Sequence, residues 1–395
     1  MMNRTHRRLS PHVAFLESEG AFEVLSRADS LEAEGRRIVH LEIGQPDFPT
    51  PPNIVDAAAR AVAAGHTGYG PPAGVPRMRE LIAENVRATR GVDVDPGQVV
   101  VTPGAKPAIF FTLLAIAAEG DEVIYPDPGF PSYHSVIGFS GAHPVPLPLR
   151  EDLSFGFDPD ELRALVTPRT RAIIVNSPHN PTGGILQREM VTEIARLARL
   201  HGFWIITDEI YRRMLYDDNR HHSALVHAPD RTILVDGFSK SYSMTGWRLG
   251  YAVAPPDVAS PVEKLMLNCN SCTCTFVQYA GMEALTGTQE HVRRMLGEFA
   301  ARRELVVDGI NAIPGLRCPR PAGAFYAFVN IQETGLDCSA FQGRLLEDAG
   351  VATLPGSCFG ACGEGYVRLS YASSRACLSE ALEKIAALAH GIMSP

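Results

Sequence analysis

The run over residues 232–250, TILVDGFSKSYSMTGWRLG, holds the groups with the most chemical content. Residues 232–235 read as a short buried strand. It turns through Gly237-Phe238-Ser239-Lys240, which presents one lysine, and Arg248 follows eight residues later. A lysine amine can condense with an aldehyde to an imine, and a hydroxyl near a guanidinium is what a phosphate monoester dianion requires. On an aromatic aldehyde phosphate the other parts would find uses. Asp208 could face a ring nitrogen and keep it protonated, so that the ring withdraws electrons from a substrate carbanion. Asn180 and Tyr211 could bond a ring oxygen, and Phe130 could lie against the ring face. The freed Lys240 amine could carry a proton between the substrate Cα and the aldehyde carbon. Arg368 could take a substrate carboxylate in a two-pronged fork. Taken singly, each has an ordinary structural use; together they fill every role.

The elements that must position these residues alternate. Strands are expected at residues 40–43, 98–101, 122–125, 144–147, 172–176, 204–207, 232–235 and 250–254. Helices are expected at 53–64, 75–89, 108–118 and 187–200, with a loop at 65–74 displaying Tyr69 and another presenting Phe130, Ser132 and Tyr133. Short β-branched runs between helices predict an α/β fold with a mostly parallel sheet sandwiched by helices. Ligands of such sheets sit beyond the carboxyl ends of the strands. Asn176, Asp208 and Lys240 fall at or just past such ends. The turn after residue 101, TPGAKPA, feeds a helix whose unpaired N–H groups would suit an anion. Gly44, in the turn after residues 40–43, permits close backbone approach to a ligand.

From residue 288 the character changes. A charged helix at 289–311, the run GAFYAFVNI at 323–331, a helix at 341–349, a strand at 366–371 and a closing helix at 378–388 read as a smaller α+β domain built from both chain ends. The division expected is residues 1–45 as an N-terminal arm and part of the small domain, 46–287 as the large domain, and 288–395 as the small C-terminal domain.

Composition bounds the answer. The chain has 395 residues, 45% hydrophobic and 20% charged, with 35 glycines and 30 prolines. That is a globular, loop-rich composition long enough for two domains. A formal charge of -8 argues against a nucleic-acid partner. No apolar run is long enough for a bilayer, and the basic start lacks the apolar stretch of a secretory signal, so a cytoplasmic location and a largely helical residues 1–37 are expected. Cys269 and Cys272 have metal-ligand spacing, but no second pair answers them. His221-His222 reads as part of a polar surface loop, so no metal is expected. Reduced, partly buried thiols suit the eight cysteines better than a disulfide framework.

The sequence resembles the aspartate-aminotransferase-like enzymes, the fold-type I family that uses pyridoxal 5′-phosphate. TPGAKPA (102–108), NSPHNPTG (176–183), TDEIY (207–211), SKSYSMTGWRLGY (239–251) and YVRLSYA (366–372) carry the resemblance in the family's order. It extends from about residue 15 to the end. It implies that Lys240 is the Schiff-base lysine and Asp208 the partner of the pyridine nitrogen. Asn180 and Tyr211 would bond the phenolic oxygen, and Phe130 would stack on the ring. The phosphate would rest on the Ala105 and Lys106 N–H groups, Ser239 and Arg248. Tyr69 would reach the phosphate of a neighbouring subunit, which implies a homodimer with shared sites. Arg368 would hold the substrate α-carboxylate, with Gly44 lining the same crevice.

Two positions depart from the family's pattern. Gly237 stands where some members have a phosphate-binding serine, and Phe130 replaces a tryptophan common in aspartate-specific members. Lys106 matches a lysine that meets the distal carboxylate of acidic substrates in some bacterial members, which favours aspartate or glutamate as donor. The reaction implied moves an amino group from an L-amino acid to a 2-oxo acid in two halves. A lyase, cyclase or specialised biosynthetic enzyme on the same scaffold is the alternative. A silent binding protein would have lost Lys240 or Asp208, and no strand leads into the GxGxxG turn of a nicotinamide dehydrogenase.

Overall fold

Apolar strands covered on both faces need helices above and below, and the chain supplies them in alternation. The computed structural model describes residues 10–16 and 20–393. In chain order the strands are β1 (Val39–His40), β2 (Val99–Thr102), β3 (Glu122–Asp127), β4 (His143–Pro148), β5 (Thr170–Asn176) and β6 (Trp204–Asp208). They continue with β7 (Thr232–Gly237), β8 (Gly250–Val253), β9 (Tyr326–Asn330), β10 (Val351–Ala352), β11 (Leu354–Pro355) and β12 (Tyr366–Ser370). Strands β2 to β8 form one sheet in the order β2-β8-β7-β6-β5-β3-β4. Every pair from β4 to β7 is parallel, and β8 alone runs against both its neighbours.

The two-residue period of the strands sorts side chains to the two faces. Ile173 and Ile205 pack in one apolar cluster, whereas the next residues, Ile174 and Ile206, pack in another across the sheet. The helix Arg188–His201 shows the matching 3.6 period: Val191, Ile194, Ala195 and Ala198 are buried, and Gly202 ends it in the left-handed region at φ 81°.

The smaller sheets are β11-β12-β9, antiparallel, and the parallel pair β1-β10. Helices Glu290–Asn311 and Arg375–Met393 contribute Phe299, Ile310, Leu378 and Ile385 to the core around β9.

Four expectations need adjustment. The strand expected at 40–43 is the two-residue β1, because its partner β10 is equally short; Val39 lies opposite Val351. The helix after β2 is Ala105–Ile116, three residues earlier than expected, because a proline at its third position is tolerated where N–H groups lack intrahelical partners anyway. Ser132 and Tyr133 lie not on a loop but in a two-turn helix, Ser132–Phe139. At the start, a 3-10 turn Pro11–Phe15 and the helix Gly20–Ala33 are present, and the rest of the helical expectation for residues 1–9 and 17–19 lies outside the described residues. Among the described residues no helix is long and apolar enough to cross a membrane.

Candidate active site

Strands β5, β6 and β7 run parallel and finish at one edge of the large sheet with Asn176, Asp208 and Gly237, the last leading into Ser239 and Lys240. A cavity of about 500 Å³ opens there. Of the residues expected to act, Gly44, Ala105, Lys106, Phe130, Asn180, Asp208, Tyr211, Ser239, Lys240, Arg248 and Arg368 all line it. Tyr69 does not, and its side chain is turned to solvent with the residue 92% exposed.

Asp208 is buried, and one carboxylate oxygen accepts from the Tyr133 hydroxyl at 2.7 Å while the other accepts from the Ile210 N–H at 3.2 Å. Burial pushes its carboxyl up to about 6, against the opposing pull of these two donors. Its backbone carbonyl accepts from the Asn176 side chain at 2.9 Å, and the Asn176 oxygen accepts from the Asn180 N–H at 2.9 Å, which orders the turn carrying Asn180. The Tyr211 and Tyr326 hydroxyls lie 2.7 Å apart. Burial holds the Tyr211 phenol well above its ordinary value, so it stays protonated.

Lys240 Nζ donates to the Gly44 carbonyl at 2.6 Å. Burial, then the charges of Arg368, Arg248 and Lys106, lower its amine to about 8, where the neutral nucleophile is within reach near physiological pH. A Cβ on Gly44 would sit 2.1 Å from the Tyr326 hydroxyl oxygen, so a larger residue would have to displace that ring.

At the other end of the cavity the helix Ala105–Ile116 begins with no side chain capping it. Two glycines bring its first turn close to basic and backbone groups. A Cβ on Gly104, which has φ +103°, would lie 2.4 Å from Arg248 Nη2, and a Cβ on Gly250 would lie 2.5 Å from the Ala105 nitrogen. First-turn N–H groups, the Ser239 hydroxyl and the Arg248 guanidinium thus form an anion cradle. The buried acid Asp208, the Tyr211 hydroxyl, the Phe130 ring and the amine of Lys240 complete the cavity. Pyridoxal 5′-phosphate fits this donor set: an anionic tail for the cradle, an aldehyde for the amine, and a ring nitrogen for the acid.

Arg368 is buried on β12. Its Nη1 donates to Asn180 Oδ1 at 3.0 Å, Nη2 donates to the Glu42 carbonyl, and Nε is buried with no partner. The guanidinium lies 4.5 Å from the Tyr326 ring centroid and 5.0 Å from that of Phe359. Burial lowers its affinity for a proton, so an incoming carboxylate would find a desolvated, oriented cation. Lys106 Nζ lies 5.2 Å from the Phe130 ring centroid.

Tyr133, Tyr326, Phe359 and Cys358 also line the cavity, as do Ala21 and Phe22 of the first described helix. The motifs assigned none of these a role. Only Tyr133 was named, on the expected loop three residues after Phe130. His221 also differs from expectation: its side chain is only 12% exposed and Nε2 is 2.9 Å from Glu209 Oε2.

Residues 36–385 match the family described as aminotransferase class I and II. An aspartate aminotransferase of Pyrococcus horikoshii is 40% identical over 379 residues, covering 95% of this chain and 96% of the relative. An aspartate/prephenate aminotransferase of Thermus thermophilus is 39% identical over 383 residues, covering 96% of this chain and 98% of the relative. The solved structure of a Thermus thermophilus aspartate aminotransferase with maleate has a TM-score of 0.92 at 39% identity, covering 97% of this chain and 100% of that one. With the cavity chemistry and these likenesses together, the chain belongs to the class I and II aminotransferases of fold type I and is a pyridoxal-phosphate-dependent aminotransferase.

Proposed function

We propose that the preferred amino donors are the acidic amino acids aspartate and glutamate, with the α-carboxylate on Arg368 and the distal carboxylate towards Lys106. The observation that carries this is the buried, unpartnered Nε of Arg368 in a cavity that also holds the Lys106 ammonium group. The relatives named for aspartate support the same reading.

When bound, the cofactor supplies an electron sink for the carbanion formed at the substrate Cα. The chain supplies the rest. The Asp208 carboxylate, ionised at neutral pH, favours a proton on a ring nitrogen placed beside it. Tyr211 donates from its protonated hydroxyl, and Asn180 offers its amide while its oxygen stays on Arg368. Lys240 would take the proton from the substrate Cα with its neutral amine and return it to the former aldehyde carbon on the other side of the shared nitrogen, a task suited to a group poised at about 8. Ser239, Arg248 and the Ala105 and Lys106 N–H groups would hold its phosphate.

We further propose a homodimer with shared sites. Tyr69 is presented outward by a loop pinned on both sides: Thr275 Oγ1 donates to the Gly68 carbonyl at 2.8 Å and the Gly70 N–H reaches Cys272 Sγ at 3.4 Å. A cofactor phosphate in the partner's cavity would give this hydroxyl a use. The division at residues 45/46 and 287/288 is supported by the pairing of β1 with β10 and by the core shared by the two C-terminal helices. A cytoplasmic setting is the natural one for eight unpaired thiols.

The test is a set of half-reactions followed by visible absorption, mixing the holoenzyme with one amino acid at a time and then with 2-oxoglutarate. Aspartate and glutamate should convert the cofactor fastest, and the oxo acid should restore it. Faster conversion by aromatic or aliphatic donors would overturn the acidic preference.

A further inference from the structure

A second cavity, of about 630 Å³, lies away from the reaction cavity and shares none of its lining residues. Arg90, Arg188, Arg212, Arg220, His221 and His222 are among the residues that line it, and among the described residues no carboxylate does.

The arginines divide into two layers. Arg90 and Arg212 form the inner layer and are committed to buried acids. Arg90 Nε donates to Glu209 at 2.8 Å and its Nη2 to Asp236 at 3.0 Å, while Arg212 Nε donates to Asp236 at 2.9 Å. Arg188 and Arg220 form the outer layer. They are exposed, and among the described residues neither has a carboxylate within 4.0 Å. Two inner cations against two inner anions leave the outer pair without an ion-paired acid at a concave surface, where field lines concentrate. His221 Nδ1 is buried there with no hydrogen-bond partner. His222 sits beside Arg188 and is held below its ordinary value by burial and then by that charge, with Glu189 as the one acid opposing them.

We propose that this cavity is a second binding site, for a small dianionic metabolite carrying a phosphate or two carboxylates. Arg188 and Arg220 clasp the anionic groups, and His221, protonated on both nitrogens when the anion is bound, keeps Nε2–H towards Glu209 and offers its buried Nδ1–H from the floor. Arg90 and Arg212 stay in place as the fixed positive background, because leaving Glu209 and Asp236 unpaired in the interior would cost more than a surface anion returns.

The proposal rests on this cavity alone and does not depend on the donor specificity. It is tested by titrating the holoenzyme calorimetrically with inorganic phosphate and, separately, with succinate. The wild type and the Arg188→Ala/Arg220→Ala double variant are compared, both carrying Arg368→Ala in the succinate arm because the reaction cavity itself accepts dicarboxylates. Saturable binding in the wild type that weakens about tenfold or more in the double variant, with turnover in phosphate-free buffer unchanged by the double substitution, is the expected result. Weakening for phosphate alone assigns a phosphate-bearing ligand, and weakening for succinate alone assigns a dicarboxylate. Equal binding of both anions by wild type and double variant, or no saturable binding of either, would overturn it.

Discussion

The Tyr133 hydroxyl donates to Asp208 Oδ2 at 2.7 Å, so a residue on a two-turn helix governs the acid at the end of β6. Burial raises the Asp208 carboxyl to about 6, and the Tyr133 bond is the largest influence pulling the other way. Removing the hydroxyl with Tyr133→Phe should move the carboxyl further up. The acid limb of the kcat/KM profile then shifts to higher pH, and activity is lost more at pH 6 than at pH 8. An unmoved limb would show that this bond only packs the ring.

Lys240 links protonation to stability. Its folded value of about 8 lies below the ordinary 10.5. Between those values the unfolded chain binds a proton that the folded chain does not, so stability rises with pH across that window and the gain is lost as pH falls back towards 8. In cofactor-free protein, chemical denaturation at pH 8 and pH 10 should show this gain in the wild type and not in Lys240→Met. Parallel behaviour of the two would refute it. In the holoenzyme assay the same variant should lose about 10²–10⁴-fold in turnover, the scale of a missing proton carrier.

Gly250 bears on the phosphate end. A Cβ there would meet the Ala105 nitrogen at 2.5 Å, and backbone cannot swing aside as a flexible side chain can. Gly250→Ala should therefore push the helix start away from Arg248, destabilising the fold by about 1–3 kcal/mol. It should also weaken cofactor affinity, read by fluorescence titration of the cofactor-free protein. Undiminished affinity would mean that the helix start and Arg248 are not the phosphate cradle.

The proposed sharing of sites between subunits predicts complementation. Tyr69→Ala and Lys240→Ala homodimers should each be impaired. A mixed dimer would hold one site with both native residues and one with neither. Co-expression followed by separation of differently tagged chains should recover activity in the mixed fraction. No recovery would place Tyr69 outside the partner's site.

What the sequence disclosed and what it hid divide along a physical line. Asp208, Asn176 and Lys240 were legible because strand ends of a parallel sheet are set by local periodicity, and polar residues there stand out against apolar runs. Tyr326 was not legible: it lies within an apolar strand, and its hydroxyl finds Tyr211 only through packing of β9 against the large sheet. Tyr133 was named but placed on a loop, because eight residues are too few for a helical period to show. His221 read as surface because its run is polar; the buried acid that draws it inward, Glu209, lies twelve positions earlier in sequence. The seven-stranded order, with β8 reversed, depended on long-range pairing that periodicity cannot express.

The pairing of Val39 with Val351 has a consequence for how the enzyme comes into being. Synthesis proceeds from the amino end, so the segment bearing Gly44 leaves the ribosome long before β10 and β12, which must hold it and bring Arg368 to its carbonyl neighbours. The large sheet can form during elongation, but the reaction cavity cannot close until the last quarter of the chain has emerged. Nascent chains stalled before Val351 should therefore be folded in part yet lack Arg368 and a seat for the substrate carboxylate, which makes substrate capture an event of the finished polypeptide.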